Sequence, residues 1–193
     1  MTPRSAQRRL MKRLWLFIGD RRGASALEFA LIAPIFLLLL AGTVELGGML
    51  YTRFQLNSAL SAAASYTLLN GSALSEATAP SLVANTAAIA AGDTNSSVSV
   101  TIAVNKDYAG TLRNGQLTTS GSPSDADRCY CPTGTGATPD WGTAIACESV
   151  CSNGSIAGKF ITITAERAYS PMFSDYQIVR DGVITVVSRA QVK

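Results

Sequence analysis

An uncharged apolar segment near the N-terminus constrains this chain more than any other feature. Residues 29–44 contain no charged side chain, and with apolar flanks the segment covers residues 24–48, enough for the roughly 20 residues that a helix needs to cross a bilayer. It is longer than the apolar core of a secretory signal, and no small-residue cleavage site separates it from the polar part of the chain. We therefore expect a transmembrane helix over residues 24–48 and an exported domain over residues 49–193.

Basic residues are concentrated ahead of this segment. Seven of the 16 basic residues lie before Gly23, against one of the 13 acidic residues, so the rest of the chain has nine basic and twelve acidic residues. An excess of Lys and Arg beside an apolar segment keeps that flank in the cytoplasm, which predicts a cytoplasmic N-terminus. A basic head can also bind nucleic acid, but this position favours the topological role, and the slightly acidic remainder offers no phosphate-binding stripe. We expect no nucleic-acid partner.

The helical pattern continues beyond the apolar segment to about residue 69. Asn70-Gly71 is expected to end the helix with a residue in the left-handed conformation. A second, shorter helix rich in alanine is expected to begin near Pro80 and to end at Gly92. The residues that recur at three- and four-residue spacing in the first helix are Phe54, Ala59, Leu60, Ala63, Ala64 and Thr67.

Three later segments have the composition of β-strands. Residues 98–104 alternate between apolar and small polar side chains, as in a strand with one buried face, and residues 159–169 and 183–192 are rich in β-branched residues. Residues 112–140 are dominated by Gly, Ser, Thr, Asp and Pro, and they predict a long loop. The order of two helices followed by strands predicts an α+β domain with an antiparallel sheet, carried by the long N-terminal transmembrane helix.

An acidic residue, Glu28, lies at the start of the apolar segment. A carboxylate at the bilayer centre costs about 2.5–3.5 kcal/mol on insertion scales, and less near the interface, so Glu28 is expected to have a function. The alternative is an uncleaved anchor in which Glu28 lies in the headgroup region.

The residues around Glu28 resemble the start of type IV pilins and pseudopilins. Their leader peptides end in glycine after basic residues, and their mature chains have glutamate at the fifth position. The resemblance implies that residues 1–23 are a basic leader and that a prepilin peptidase cuts between Gly23 and Ala24, which makes Glu28 the fifth residue. In that family the glutamate pairs with the new amino terminus of a neighbouring subunit, and both charges would need a partner in an apolar bundle.

A longer stretch resembles, more narrowly, the TadE-like proteins of tight-adherence (Flp) pilus systems. The resemblance implies a minor pilin or pseudopilin of the bacterial inner membrane, with the major Flp pilin and sibling pseudopilins as partners. From the residues alone, the proline of this stretch is also expected to bend the helix, because it removes one backbone hydrogen bond. The matching features are Glu28-Phe29-Ala30, Pro34, the leucine run that contains Leu38, and Gly42 followed by Glu45, which we expect at the outer membrane boundary.

Four cysteines, Cys129, Cys131, Cys147 and Cys151, form a C-x-C pair followed by a C-x3-C pair. Zinc sites favour C-x2-C, the chain has no histidine, and an exported domain lies in an oxidising compartment, so two disulfides are expected. Because neighbouring cysteines in C-x-C are poorly placed to bridge each other, Cys129 and Cys131 are each expected to join one of Cys147 and Cys151, in either combination. The Cys-Tyr-Cys-Pro block also resembles the C-terminal half of many TadE-like proteins.

The sequence shows no catalytic constellation. The absence of histidine removes the commonest general base and every Ser-His-Asp or Cys-His arrangement. Asp125 and Asp127 could bind calcium, but two carboxylates without a ligand loop are expected to be solvated. Trp141 is expected to pack in a loop or the core. We expect no enzyme activity, no cofactor and no metal site.

These observations predict a minor pilin or pseudopilin that takes part in assembling a tight-adherence pilus after leader cleavage. The alternative is a signal-anchored envelope binding protein or adhesin whose helix is never cleaved. Leader removal and co-assembly separate the two hypotheses.

Overall fold

The computed structural model of the protein describes residues 24–92, 98–134, 139–171 and 182–192. The predicted leader, residues 1–23, lies outside the described residues, and so does Gly23. The chain divides into two compact units, residues 1–47 and 48–193. The first helix, α1 (Ala24–Asn70), runs from the first unit into the second.

The N-terminal part of α1 has the properties of a membrane-spanning helix. Its most apolar 18-residue stretch has a mean hydropathy of 2.3, and none of that stretch is buried within the protein. Pro34 lies inside the helix without ending it. The predicted long N-terminal apolar helix is therefore confirmed.

The second part of α1 contributes a narrow stripe to the core. Ala63 and Thr67 are fully buried and Leu56 and Leu60 nearly so, and these positions recur at the spacing that places side chains on one helical face. Phe54, which was expected on this face, is 72% exposed. The sequence did not show which apolar residues of this stretch face the core, because the stretch follows directly on an entirely apolar one.

α1 ends at Asn70, as predicted, but without the expected left-handed residue. Asn70 retains right-handed helical backbone angles, and Gly71–Ala73 form a 3-10 turn rather than a left-handed cap. Gly71 is required here for space, because a Cβ atom at this position would meet the side chain of Val192. The glycine therefore permits close approach of the last strand.

The second helix, α2 (Ala79–Ala91), begins one residue before Pro80 and ends at Gly92, as predicted. Proline is tolerated there because the first turn of a helix has N–H groups without helical partners. The α2 face formed by Val83, Ala87 and Ala90 is buried. It packs against the central strands of the sheet.

Five antiparallel strands form one sheet in the order β3-β2-β1-β4-β5. The three predicted strands are present, and the central pair brings Ile102 opposite Ile163 on the buried face. On the other face, β1 carries Ser99, Thr101 and Ala103. The strands are β1 (Val98–Val104), β2 (Tyr108–Arg113), β3 (Gln116–Ser120), β4 (Lys159–Ala168) and β5 (Val183–Val192).

The prediction that residues 112–140 form one loop was wrong. Arg113 ends β2, β3 occupies Gln116–Ser120, and Pro123–Asp127 form a 3-10 turn. Asn114 and Gly115 make the β2–β3 turn with φ values of 52° and 76°. Asn-Gly is the preferred pair for such a two-residue hairpin turn, so the missed strands did have a sequence signal.

Candidate functional site

The first turns of α1 display Glu28 on the surface of the chain. Ala24 is the first residue of α1 within the described part of the chain, and Glu28 follows it by one turn. The Glu28 side chain is exposed. Its carboxylate is therefore open to a group from another molecule.

A continuous apolar surface follows Glu28. A monomeric soluble protein does not present such a surface to water, whereas a bilayer or a bundle of similar helices can cover it. The large apolar side chains from Leu27 to Leu40, all at least 50% exposed, are Leu27, Phe29, Leu31, Ile32, Ile35, Phe36, Leu37, Leu38, Leu39 and Leu40.

The other residues of the predicted anchor have distinct environments. Pro34 removes one backbone donor from the helix, which leaves the Ala30 carbonyl without its usual partner. A Cβ atom at Gly42 would meet nothing, so nothing within the described chain requires glycine there. The Thr43 hydroxyl donates to the carbonyls of Leu39 and Leu40 at 3.0 and 2.7 Å. Thr43 therefore needs no polar partner from outside the helix.

Glu45 is buried, with 4% of its surface exposed. It is engaged in a contact rather than free. Of these two acids, Glu45 is buried in the protein and Glu28 is exposed.

The second candidate region is the disulfide lobe, which we define as residues 129–158. Cys129 is bonded to Cys147 and Cys131 to Cys151, with Cα–Cα distances of 5.1 and 5.8 Å. The two expected disulfides are therefore present, and each member of the C-x-C pair joins one member of the C-x3-C pair. Short antiparallel bridges, including Tyr130 to Gly158, complete the lobe.

Asp125 connects the sheet to this lobe and is not the solvated residue that was predicted. Its side chain is 2% exposed. One carboxylate oxygen accepts hydrogen bonds from the backbone N–H groups of Lys106 and Asp107, each at 3.0 Å. The other accepts the hydroxyl of Tyr130 at 2.5 Å. Buried carboxylates need such partners, and here all of them come from the protein itself.

Asn105 extends the same polar cluster from the end of β1. Its amide donates to the carbonyls of Asp125 and Arg128 at 2.7 and 3.0 Å, and its side-chain oxygen accepts the Phe160 N–H at 2.8 Å. Asn105 has a positive φ of 53°, which asparagine tolerates better than most residues. The cluster joins β1, β4, the 3-10 turn and the disulfide lobe.

Tyr130 lies at the centre of this cluster. Burial, followed by the hydrogen bond to Asp125, raises the pKa of its phenol to about 12 from the ordinary value of 10.0. The same ring packs edge-on against Trp141 at a centroid distance of 5.7 Å. Trp141 also contacts Phe160 and lies under Arg189, so it packs as predicted.

Asp127 has a different environment from Asp125. It accepts the Glu76 N–H at 3.1 Å and lies 3.7 Å from the Lys159 ammonium, with half of its side chain exposed. Within the four described segments of the chain, no three Asp, Glu, Cys or His residues are grouped closely enough to hold a metal ion. The two aspartates act here as structural acceptors.

Comparison with known proteins finds a match for one segment of the chain. The family model described as TadE-like protein matches residues 23–65. No curated protein and no solved structure matches the chain significantly. The resemblance to TadE-like proteins is therefore confirmed for the segment that contains Glu28, Pro34 and Gly42.

Proposed function

We propose that the protein is a minor pilin or pseudopilin that takes part in assembling a tight-adherence (Flp) pilus. In this proposal residues 1–23 are a leader, residues 24–48 span the membrane and residues 49–193 are the exported domain. The observation that carries the proposal is the TadE-like match over residues 23–65, a segment whose described part is one helix that exposes Glu28.

Cleavage between Gly23 and Ala24 by a prepilin peptidase would create an ammonium group one helical turn from Glu28. The two groups would then be about 6 Å apart along the helix axis. In apolar surroundings each charge requires a partner, and a neighbouring subunit offers the complementary pair. The exposed carboxylate of Glu28 is free to make that contact.

Leader removal would also change how the subunit is held in the membrane. The leader carries seven basic side chains. Each Lys or Arg near an anionic cytoplasmic leaflet contributes about 1 kcal/mol of attraction. Loss of the leader therefore favours extraction of the apolar helix into a helical bundle.

The proposed setting is the bacterial inner membrane, with a cytoplasmic N-terminus, a periplasmic C-terminal domain and subsequent entry into a pilus or its priming complex. The proposed partners are the membrane, the prepilin peptidase, the major Flp pilin and sibling pseudopilins. The role is non-catalytic. The exposed apolar surface of residues 27–40 supports the proposed membrane setting, because that surface suits both a bilayer and a bundle of pilin-like helices.

The role of Glu28 is tested with Glu28→Ala and Glu28→Gln in cells that carry the whole tight-adherence system. We expect both variants to be cleaved normally but to lose at least about tenfold in recovery with the major pilin, which equals about 1.4 kcal/mol. Ser25→Ala, which removes a neutral hydroxyl in the same helical turn, is the control. Normal recovery of both Glu28 variants would contradict the pairing.

A further inference from the structure

The two bonds of the disulfide lobe differ in their access to solvent. Cys147 is exposed, whereas its partner Cys129 is 2% exposed. In the other bond Cys151 is 6% exposed and Cys131 is half-buried. A thiolate breaks a disulfide only by reaching one of its two sulfur atoms, so access helps to decide which bond reacts. The Cys129–Cys147 bond is the one that presents an exposed cysteine.

A cavity beside this bond leaves room for an incoming group. Its volume is about 650 Å³, and of the four cysteines it is Cys129 and Cys147 that line it. Ile156, which is 57% exposed, and Gln191 form part of the remaining wall. The cavity can therefore receive a cysteine side chain from another protein.

The segment that carries the exposed cysteine, residues 142–148, is held by few contacts. All of its residues are exposed. Within the described part of the chain, two backbone hydrogen bonds connect it to other parts of the disulfide lobe, from Ile145 N–H to the Cys129 carbonyl at 2.9 Å and from Glu148 N–H to the Ala157 carbonyl at 3.1 Å. Glu148 has a φ of 64°, a left-handed conformation that glutamate rarely adopts. Attack on this segment therefore requires no opening of the sheet.

Chain entropy does not favour the observed pairing over its closest alternative. Cys129–Cys147 and Cys131–Cys151 span 18 and 20 residues. The alternative, Cys129 with Cys151 and Cys131 with Cys147, closes loops of comparable length, so its loop-closure entropy is nearly the same. The folded structure must therefore select the pairing, by holding Tyr130 and the two cysteines beside it in place.

Part of that structure is exported after the cysteines. Tyr130 exchanges backbone hydrogen bonds with Gly158, and the Asn105 side chain accepts the N–H of Phe160 in β4. Under the proposed topology, on which this step rests, the exported domain crosses the membrane from residue 49 onward. All four cysteines then reach the oxidising compartment before β4 and β5. Disulfides formed at that stage lack the contacts that select the native pairing, so wrong bonds must be exchanged later.

We propose that Cys147 is the entry point at which a dithiol oxidoreductase of the oxidising compartment exchanges the disulfides of this protein. The thiolate of the oxidoreductase forms a bond with the Cys147 Sγ, the existing bond of Cys147 breaks, and its former partner leaves as a thiolate with the electron pair. The step replaces one disulfide by a mixed disulfide, without net oxidation. Exchange at Cys147 depends neither on leader cleavage nor on Glu28.

Entry at Cys147 is sufficient to correct the alternative pairing. In a chain with Cys131–Cys147 and Cys129–Cys151, attack on Cys147 releases the thiolate of Cys131. That thiolate attacks Cys151, forms the Cys131–Cys151 bond and releases the thiolate of Cys129. The Cys129 thiolate then attacks the mixed disulfide at Cys147, which forms the second native bond and returns the thiolate of the oxidoreductase. The pairing changes and no electrons are consumed.

The entry point is tested with thioredoxin whose resolving cysteine is replaced by serine, so that a mixed disulfide persists. The full chain, purified in detergent with all described cysteines bonded, is incubated with this probe under native conditions. Free thiols are then alkylated and the peptides are mapped without reduction. We expect thioredoxin on Cys147, alkylated Cys129 and an intact Cys131–Cys151 bond. Thioredoxin on any other cysteine, or on none, would overturn the proposal.

Reduced glutathione measures the relative rates of opening. We expect the Cys129–Cys147 bond to open at least about tenfold faster than Cys131–Cys151, because access limits the attack. The rate should not depend on urea below the unfolding transition, since the folded domain is attacked. The matched variants are Cys131→Ser/Cys151→Ser, which should react rapidly, and Cys129→Ser/Cys147→Ser, which should resist. Equal rates for the two bonds of the unaltered chain, or rates that rise with urea, would show that opening requires unfolding and would contradict the proposal.

The correcting role is tested by mapping the disulfides of the full chain made in cells with and without their periplasmic disulfide isomerase. We expect the native pairing with the isomerase and a mixture of pairings without it. Cys131→Ser/Cys151→Ser can form only one bond and should form it in both strains. Removal of the prepilin peptidase should not alter the pairing, which separates this proposal from the pilin role. Complete native pairing without the isomerase would refute the correcting role.

Discussion

Asp125 contributes more to the connection between sheet and disulfide lobe than any sequence motif indicates. Its carboxylate accepts three hydrogen bonds and is almost fully buried. Its function could not be read from the sequence, because its partners lie 18 and 19 residues before it and five residues after it, and only the fold brings them together. A loop rich in Gly, Ser and Asp looks solvated whether or not one aspartate is buried.

Replacing Asp125 should destabilise the exported domain. Hydrogen bonds to charged groups contribute about 1.5–3 kcal/mol each, but they are not additive, so we expect Asp125→Ala to lower the free energy of unfolding by about 2–4 kcal/mol. Asp125→Asn should cost less, because an amide oxygen can still accept the two backbone N–H groups. Chemical denaturation of the full chain in detergent measures both, with exposed Asp107→Ala as the control. A loss below that of the control would contradict the structural role.

Tyr130 should make the domain sensitive to alkaline pH. Its phenol ionises near pH 10 in the unfolded chain and near 12 when folded, so between these values only the unfolded chain has lost the proton. Unfolding then releases a proton and stability falls as pH rises, by about 2.3 kcal/mol at pH 12, whereas below pH 10 the contribution is complete. Tyr130→Phe should flatten this decline, while Trp141→Phe, which alters the neighbouring ring, should leave the slope unchanged. An identical slope for Tyr130→Phe would refute the assignment.

At the level of elements, the packing of α2 on the sheet depends on a single glycine in β2. A Cβ atom at Gly110 would collide with the Val83 side chain of α2. Overpacking of this kind costs about 1–3 kcal/mol. We therefore expect Gly110→Ala to be destabilising in denaturation measurements, and to be less so in a Val83→Ala background, where the collision is relieved. Equal losses in the two backgrounds would show that the glycine acts through the unfolded chain instead.

The same glycine explains why part of the sheet was not predicted. β1 alternates Val, Ser, Val, Thr and Ile, a pattern set by burial of one face, and it was recognised with the observed bounds. β2 contains Gly110, which weakens the strand signal, and β3 is a fully exposed edge with polar side chains. Neither strand has the alternation of apolar and polar residues that identifies a half-buried strand. The Asn114-Gly115 turn between them is, however, a sequence signal for a hairpin.

At the scale of the whole molecule, features that depend on local sequence were predictable, whereas features that depend on contacts between distant residues were not. The long apolar helix was predictable because the bilayer imposes length and charge limits on any spanning helix, and α1 meets them. The presence of two disulfides between the C-x-C and C-x3-C pairs followed from spacing and compartment, but which cysteine joins which did not. The polar cluster around Asn105 and Asp125 was not predictable, since it depends on contacts between residues far apart in the chain.

The central claim is that the chain enters the pilin pathway by losing its leader. The most direct test is the intact mass and N-terminal residue of the membrane-purified protein, produced with and without the prepilin peptidase of its own system. We predict a mature chain that starts at Ala24 only when the peptidase is present. A chain that retains Met1 under both conditions would contradict the claim and favour a signal-anchored binding protein.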